Sequence, residues 1–80
     1  MRINSVKELA VFTQNQRLEK KFSQEEVADL AAIRQATVSA FETDPSSAKI
    51  ETLFKLLSAL DLELEVRPKN PTVGSIKLDW

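Results

Sequence analysis

The polar residues whose spacing could do chemistry lie close together, in the run R-Q-A-T-V-S from Arg34 to Ser39. A glutamine at a helix N-terminus can offer its amide to the N6 and N7 edge of adenine, an arginine reaches guanine or phosphate, and an alanine contacts a thymine methyl group. Val38 and Phe41 recur three residues apart, which would turn both towards the protein interior. The run therefore predicts a helix whose outer face enters a DNA groove. The residues expected to contact base edges are Arg34, Gln35, Ala36 and Ser39.

The segment before this run predicts a partner helix. Ser23 and Glu26 form a capping box, because the serine hydroxyl accepts from the backbone amide three residues on and the glutamate reaches back to the cap. The apolar face that follows consists of Val27, Ala28, Leu30 and Ala31. A solvated surface helix would be the ordinary interpretation of either segment alone. Two short helices that each begin with a glutamine, Gln24 and Gln35, favour a helix-turn-helix instead.

Two further helices are predicted to hold this pair in place. Ser5 and Glu8 form a second possible capping box, and the helix that it opens should end near Lys20. Its apolar stripe consists of Val6, Leu9, Ala10, Thr13 and Leu18. The second supporting helix should run from about Lys49 to Ala59 and supply the largest share of the core. Its apolar residues are Ile50, Leu53, Phe54, Leu56, Leu57 and Leu60.

The stretch T-D-P-S-S-A-K, residues 43–49, predicts a loop between the recognition helix and the last helix. Pro45 excludes helical geometry at Asp44. Ser46 or Ser47 is then expected to cap the helix that follows.

After the last helix, the run L-E-L-E-V-R alternates apolar and polar residues from Leu62 to Arg67. This alternation predicts a β-strand, and a disordered acidic tail is the alternative. A single strand is unstable in water, so the expected partner is the same strand of a second subunit across a two-fold axis. The dimerisation residues would be Leu62, Leu64 and Val66.

The composition limits the chemistry that the chain can perform. Eighty residues, 42% of them hydrophobic, suggest one small domain at 1–67, with a flexible tail at 68–80 where the composition changes. There is no cysteine and no histidine, so disulfides, thiolate or imidazole metal sites and the usual catalytic triads are excluded. We therefore expect no enzyme activity, no metal, no cofactor and no small-molecule substrate. No apolar run is long enough to span a membrane and no signal peptide is evident, which predicts a cytoplasmic protein.

The net charge of −1 argues against a general coat for nucleic acid, whose affinity would come from neutralised phosphates. A local basic patch remains possible, because Arg17, Lys20 and Lys21 cluster at the end of the first helix. Contacts to the DNA backbone are predicted for Lys20, Lys21, Ser23, Gln24, Thr37 and Lys49.

The pattern Q-E-E-V-A-x6-Q-A-T-V-S-x-F-E resembles the repressor-like (XRE/Cro-C1) helix-turn-helix, and within that family the HipB-type antitoxins. The similarity runs from Ser5 to about Leu64. It implies a mainly α fold, a four- to five-helix repressor-like domain with one C-terminal strand that pairs across a dimer. Family members commonly have glycine where this chain has Lys21 and Ala32, and a left-handed residue without glycine costs on the order of 1 kcal/mol.

The same resemblance implies partners. HipB-type antitoxins are expected to bind palindromic operator DNA in their own promoter as homodimers, and to bind and neutralise a HipA-like serine/threonine kinase toxin. The resemblance also implies that a C-terminal tail docks on the toxin, through Ile76, Leu78 and Trp80. A tryptophan that folds back on its own domain, or is simply exposed, is the alternative.

Two other functions remain compatible with the sequence. The chain could be a stand-alone phage-type repressor without a toxin partner. It could also be a protein-interaction module in which the helix-turn-helix is only a scaffold, because a fold does not fix a function.

Overall fold

The computed structural model describes residues 2–69, and these form a mainly helical domain. Its elements are α1 (Val6–Glu19), α2 (Gln24–Ala31), α3 (Gln35–Thr43), a 3₁₀ helix (Pro45–Ser47) and α4 (Ile50–Ala59). The predicted mainly α, repressor-like architecture is confirmed. Within residues 2–69, no helix is long and apolar enough to cross a membrane. The predicted toxin-binding residues Ile76, Leu78 and Trp80 lie outside the described residues.

The core forms where α2 packs against both α3 and α4, while α1 packs against α3 and the 3₁₀ helix. Its buried apolar residues are Ala10, Val27, Ala28, Ala31, Val38, Phe41, Leu56 and Leu60. Small alanines on α1 and α2 let the helices approach closely, and the leucines of α4 fill the remaining space. This core fixes α3 from behind and leaves its other side open to solvent.

The N-terminal caps follow the sequence in part. At α2 the predicted capping box is complete: the Glu26 amide donates to Ser23 Oγ at 3.0 Å, and the Ser23 amide donates to Glu26 Oε1 at 2.7 Å. At α1, Ser5 caps as predicted, but the Glu8 carboxylate accepts from the amide of Asn4 rather than that of Ser5. The second capping box is therefore only half formed.

The predicted serine cap of α4 is wrong. Lys49 occupies the N-cap position and forms no side-chain hydrogen bond with the helix. Ser46 Oγ instead donates to Asp44 Oδ1 at 2.8 Å, within the short 3₁₀ turn. Pro45 starts that turn, and the turn places both serines too early in the chain to reach α4.

Three of the four α-helices end in the same way, although none has a glycine after it. The residues Lys21, Ala32 and Asp61 all have a left-handed backbone, with φ of 60° or 61°. In each case the following amide donates to a carbonyl five residues earlier: Phe22 to Arg17, Ile33 to Ala28 and Leu62 to Leu57. This is the Schellman arrangement, and each donor residue also packs its side chain on the core. The turns thus keep the geometry for which glycine is usual, and the domain accepts the backbone strain.

Several residues predicted to face the core are exposed. They are Val6 and Leu18 on α1, Leu30 on α2, and Ile50 and Phe54 on α4. A periodic stripe predicts one side of a helix, but neighbours cover only part of that side in a domain this small. On α1 the buried line runs through Ala10, Thr13 and Arg17, so Leu18 lies beside it.

Residues 62–67 form no β-ladder within the described part of the chain. Leu62 packs against the core of its own chain, whereas Leu64 is 49% exposed and Val66 is 87% exposed. Strand pairing across a dimer involves a second chain, so this part of the expected fold stays a prediction.

Candidate nucleic-acid interface

The outer face of α3 is the candidate binding surface. Val38 and Phe41 are 1% and 4% exposed and define the inner side of the helix. The most outward line, at positions i, i+4 and i+7, consists of Ala36, Ala40 and Thr43, all exposed. These three residues are uncharged and have small side chains, so another molecule can approach the α3 backbone closely.

The four predicted base-contact residues all lie on the solvent side of α3 or at its start. Arg34 is the N-cap residue, with an extended backbone and no side-chain bond to the helix. Gln35 and Ala36 are exposed, and Ser39 is half-buried beside the outward line. Their placement near the N-terminal end of α3 is the one from which helix-turn-helix proteins contact base edges.

The turn between α2 and α3 has only three residues, 32–34. Ala32 adopts the left-handed conformation that ends α2, and Ile33 then packs against the core. These two features fix where Arg34 leaves the turn and the direction in which α3 starts. The orientation of the candidate surface is therefore set by the fold and not by a flexible linker.

A buried polar cluster lies behind α3. Arg17 of α1 donates twice to the Glu42 carboxylate, from Nε to Oε2 at 2.7 Å and from Nη2 to Oε1 at 3.0 Å. Its Nη1 donates to the Phe22 carbonyl at 2.9 Å. Gln24 Nε2 donates to Glu42 Oε1 at 2.9 Å. The side chains of Arg17 and Glu42 are only 10% and 5% exposed, so this is a buried, bidentate ion pair.

The expected basic patch of Arg17, Lys20 and Lys21 is wrong at Arg17, because Arg17 belongs to this buried cluster and not to the surface. The guanidinium group of Arg17 is turned inward, where its charge is balanced by Glu42. The cluster also withdraws the carboxylate of α3 from the outer face. A negative charge on that face would repel DNA phosphates, so its burial makes the surface more suitable for DNA.

The predicted backbone-contact residues differ in how available they are. Lys20, Lys21, Ser23 and Lys49 are exposed, whereas Gln24 and Thr37 are half-buried. Lys49 lines a groove together with Ala36, Thr37 and Ala40, so the structure brings this residue beside α3. Ser23 and Gln24 are already engaged within the protein, through the α2 cap and through Glu42.

Sequence reasoning missed the Arg17–Glu42 pair, although each residue carried a signal. Arg17 continues the line of Ala10 and Thr13 on α1, and Glu42 lies four residues after Val38 on the inner side of α3. A charged residue at a buried helical position needs a partner of opposite charge. Because Arg17 and Glu42 both occupy buried helical positions and have opposite charges, the sequence alone could have suggested that they form a pair.

The described part of the chain contains no group of three acidic, histidine or cysteine side chains that could hold a metal ion. The candidate surface therefore consists of hydrogen-bonding side chains and exposed lysines around α3, which the core holds in place.

Comparison with known proteins identifies the class. The helix-turn-helix family profile matches residues 14–66. The antitoxin HipB of Escherichia coli K12 is 35% identical over 68 residues, which span 80% of this chain and 77% of that protein. The antitoxin HigA1 of Mycobacterium tuberculosis H37Rv is 41% identical over 56 residues, which span 70% of this chain. The chain covers only 38% of the length of HigA1, so that similarity concerns one region of the relative.

Solved structures agree with this result. A chain in the structure of the HipA–HipB–O2–O3 complex superposes with a TM-score of 0.84 at 31% identity, over 88% of this chain and 99% of the other. The restriction-modification controller protein C.Esp1396I superposes with a TM-score of 0.69 at 21% identity, over 72% of this chain and 75% of that one, and shares the fold alone. The chain belongs to the helix-turn-helix family, and within it to the HipB-type antitoxins. This membership confirms the expected class and the prediction that the protein is not an enzyme.

Proposed function

We propose that the protein is an antitoxin that represses its own promoter as a homodimer on palindromic operator DNA, and that it binds and neutralises a HipA-like serine/threonine kinase. Because its target is the DNA of its own gene, it would act in the cytoplasm. The observation that carries the DNA part is the exposed, uncharged outer face of α3, which the core holds in place. The only carboxylate of α3, that of Glu42, is buried behind this face in the ion pair with Arg17. A similar chain, solved with HipA and O2–O3, supports the wider proposal.

On this proposal, α3 enters the major groove. Arg34, Gln35, Ala36 and Ser39 contact base edges, with Gln35 bidentate to an adenine. Contacts to the backbone come from Lys20, Lys21, Ser23, Gln24, Thr37 and Lys49. Thr37 and Lys49 have the strongest geometric support among these, since both line the groove along α3.

The homodimer is supported by exposed apolar surface near the end of the described chain. Leu64 and Val66 are exposed and alternate with Glu63 and Glu65. Phe54 is also exposed, and it lines a groove with Leu57, Leu62 and Leu64. Pairing of residues 62–67 with the same segment of a second chain would satisfy the backbone groups of both strands and cover this apolar surface.

The dimer is tested with Val66→Lys, which places a charge in the proposed interface. Glu65→Lys is the matched control, because it adds the same side chain on the other face of the alternation and Glu65 does not line the groove beside Phe54. Sedimentation equilibrium should show a monomer for Val66→Lys and a dimer for Glu65→Lys. A dimer of unchanged affinity in Val66→Lys would argue against this interface.

The toxin contact is proposed for the segment 68–80, through Ile76, Leu78 and Trp80. Tryptophan is among the residues that contribute most to protein–protein affinity when it fills a pocket. Truncation after Pro68 should abolish binding to a HipA-like kinase, while operator binding is retained. If the truncated protein still binds the kinase, the tail is not the contact.

The DNA part is tested by footprinting on the DNA upstream of the gene. A dimeric repressor should protect two half-sites about one helical turn apart. A single unpaired site, or no protection at low salt where phosphate contacts are strongest, would contradict the proposal.

A further inference from the structure

The hydrogen bond between Gln24 and Glu42 joins the first residue of α2 to the last turn of α3. The other ends of the two helices are already joined by the three-residue turn at 32–34. Residues 24–31 span roughly 12 Å and residues 35–42 a similar length, at 1.5 Å per residue. The two helices and the Gln24–Glu42 hydrogen bond thus form the three sides of a triangle, and each side has a fixed length. The Gln24–Glu42 bond therefore limits the angle between α2 and α3.

Glu42 is a firm anchor for this bond. Its carboxylate is held by two hydrogen bonds from Arg17, and its side chain is only 5% exposed. Gln24 adds a bond to Oε1, the oxygen that already accepts from Arg17 Nη2. The carboxylate thus connects three helices: α1 through Arg17, α2 through Gln24 and α3 through its own backbone.

From this geometry we infer that Gln24 is a positioning residue for operator recognition and acts through Glu42. The inference rests on the proposed function and revises it at one residue: Gln24 orients α3 through Glu42 instead of contacting a phosphate. Gln24 sets the tilt of α3, and the tilt decides whether Gln35 and Arg34 meet base edges in bidentate geometry. Bidentate pairs need both hydrogen bonds aligned, so a small rotation of α3 costs discrimination between sequences. Contacts of exposed lysines to phosphates depend much less on that angle.

The two roles of Gln24 predict different results in a binding experiment. The probes are the duplex that the wild-type protein selects from a randomised pool and a scrambled duplex of the same composition. Loss of a phosphate contact weakens binding to both duplexes by the same factor. Loss of positioning weakens binding to the selected duplex alone. The decisive quantity is therefore the ratio of the two affinities.

The test variant is Gln24→Met, which keeps the length of the side chain and removes the donor. Gln14→Met is the matched control, a half-buried glutamine on α1 that is outside the proposed surface. Gln24→Met should lower the specific-to-nonspecific ratio about tenfold, the effect of misaligning one bidentate contact, and leave nonspecific affinity within about twofold. Gln14→Met should leave the ratio unchanged. A mere loss of stability in Gln24→Met lowers the melting temperature without changing this ratio.

The route through Glu42 is tested in a background that lacks the anchor. Replacing the ion pair by Arg17→Met and Glu42→Met keeps the volume apolar and filled. In that background Gln24→Met should not lower the ratio further. The inference is overturned if Gln24→Met weakens both duplexes equally, or if its effect on the ratio is undiminished without Glu42. If the double variant does not fold, the single variant against its control still decides the first point. A wild-type protein that prefers no sequence would overturn the proposed function itself.

Discussion

Two arginine–glutamate pairs in this domain have the same chemistry and very different surroundings. Arg17 and Glu42 are 25 positions apart in the chain and form a bidentate contact with side chains 10% and 5% exposed. Arg67 and Glu65 are two positions apart, at 3.2 Å, with side chains 74% and 68% exposed. The first pair connects α1 and α3, two helices that are far apart in the chain. The second connects neighbouring residues that the backbone already holds together.

This difference shows that burial and sequence separation decide what an ion pair does for the domain. An exposed pair gains little, because water and salt screen both charges and ordering two long side chains costs entropy. A buried pair is costly to desolvate, so its formation adds limited net stability. Breaking it is different, since the remaining charge is left buried without a partner.

The largest expected effect is on stability when one member of the buried pair is removed. Arg17→Ala should lower the free energy of unfolding by about 3–5 kcal/mol, because Glu42 is left uncompensated. Arg67→Ala should change it by less than about 1 kcal/mol. Urea unfolding of both variants, each at low and high salt, measures the contrast. Equal effects of the two substitutions would show that burial does not distinguish the two ion pairs.

Replacing both members of the buried pair sharpens the same point. Arg17→Met together with Glu42→Met should recover most of the stability that Arg17→Ala loses, to within about 1–2 kcal/mol of the wild type. The reason is that no buried charge remains and the volume stays filled. If the double variant were as unstable as Arg17→Ala in the same urea titration, the pair itself would be a major source of stability.

A third expected effect concerns backbone strain and involves no charge. Ala32→Gly should raise the free energy of unfolding by up to about 1 kcal/mol, because glycine adopts the left-handed conformation without the Cβ clash. Thermal unfolding measures this, with Ala36→Gly in α3 as the control. The control should be destabilised by about 0.5–1 kcal/mol, since its backbone is helical. Destabilisation of Ala32→Gly would show that the turn is not strained.

The smallest expected effect belongs to an exposed cation with a proposed role only in DNA binding. Lys49→Ala should leave the free energy of unfolding nearly unchanged, because the Lys49 side chain is exposed and forms no hydrogen bond with its helix. It should lower the slope of log affinity against log salt by about one unit, for every DNA sequence alike. Fluorescence anisotropy in a salt series measures the slope. A change in sequence preference would place Lys49 at a base edge instead.

Local signals in the sequence were enough to predict the elements that present the candidate surface. The Ser23–Glu26 box and the spacing of Val38 and Phe41 depend on neighbours within one or two helical turns. Each of these features is found in the structure. At Ala32, where the family commonly has glycine, the sequence left open whether the turn differs or the backbone is strained, and the structure shows the left-handed conformation.

Features that depend on distant parts of the chain were harder to predict. Leu30 and Phe54 continue apolar stripes, and only the packing of other helices decides that they are exposed. Arg17 was assigned to a surface patch because its partner, Glu42, is 25 residues away. The strand predicted at 62–67 would need a second chain to pair with, so the structure of one chain does not test it.

The central claim is that the outer face of α3 recognises a specific DNA sequence. The most direct test compares wild type and Gln35→Ala on the selected and scrambled duplexes, with affinities measured at several salt concentrations. If Gln35 contacts an adenine, the variant should lose about 1–3 kcal/mol of discrimination and keep its affinity for the scrambled duplex. An unchanged ratio of the two affinities would contradict the account, and recognition would have to be sought on another surface.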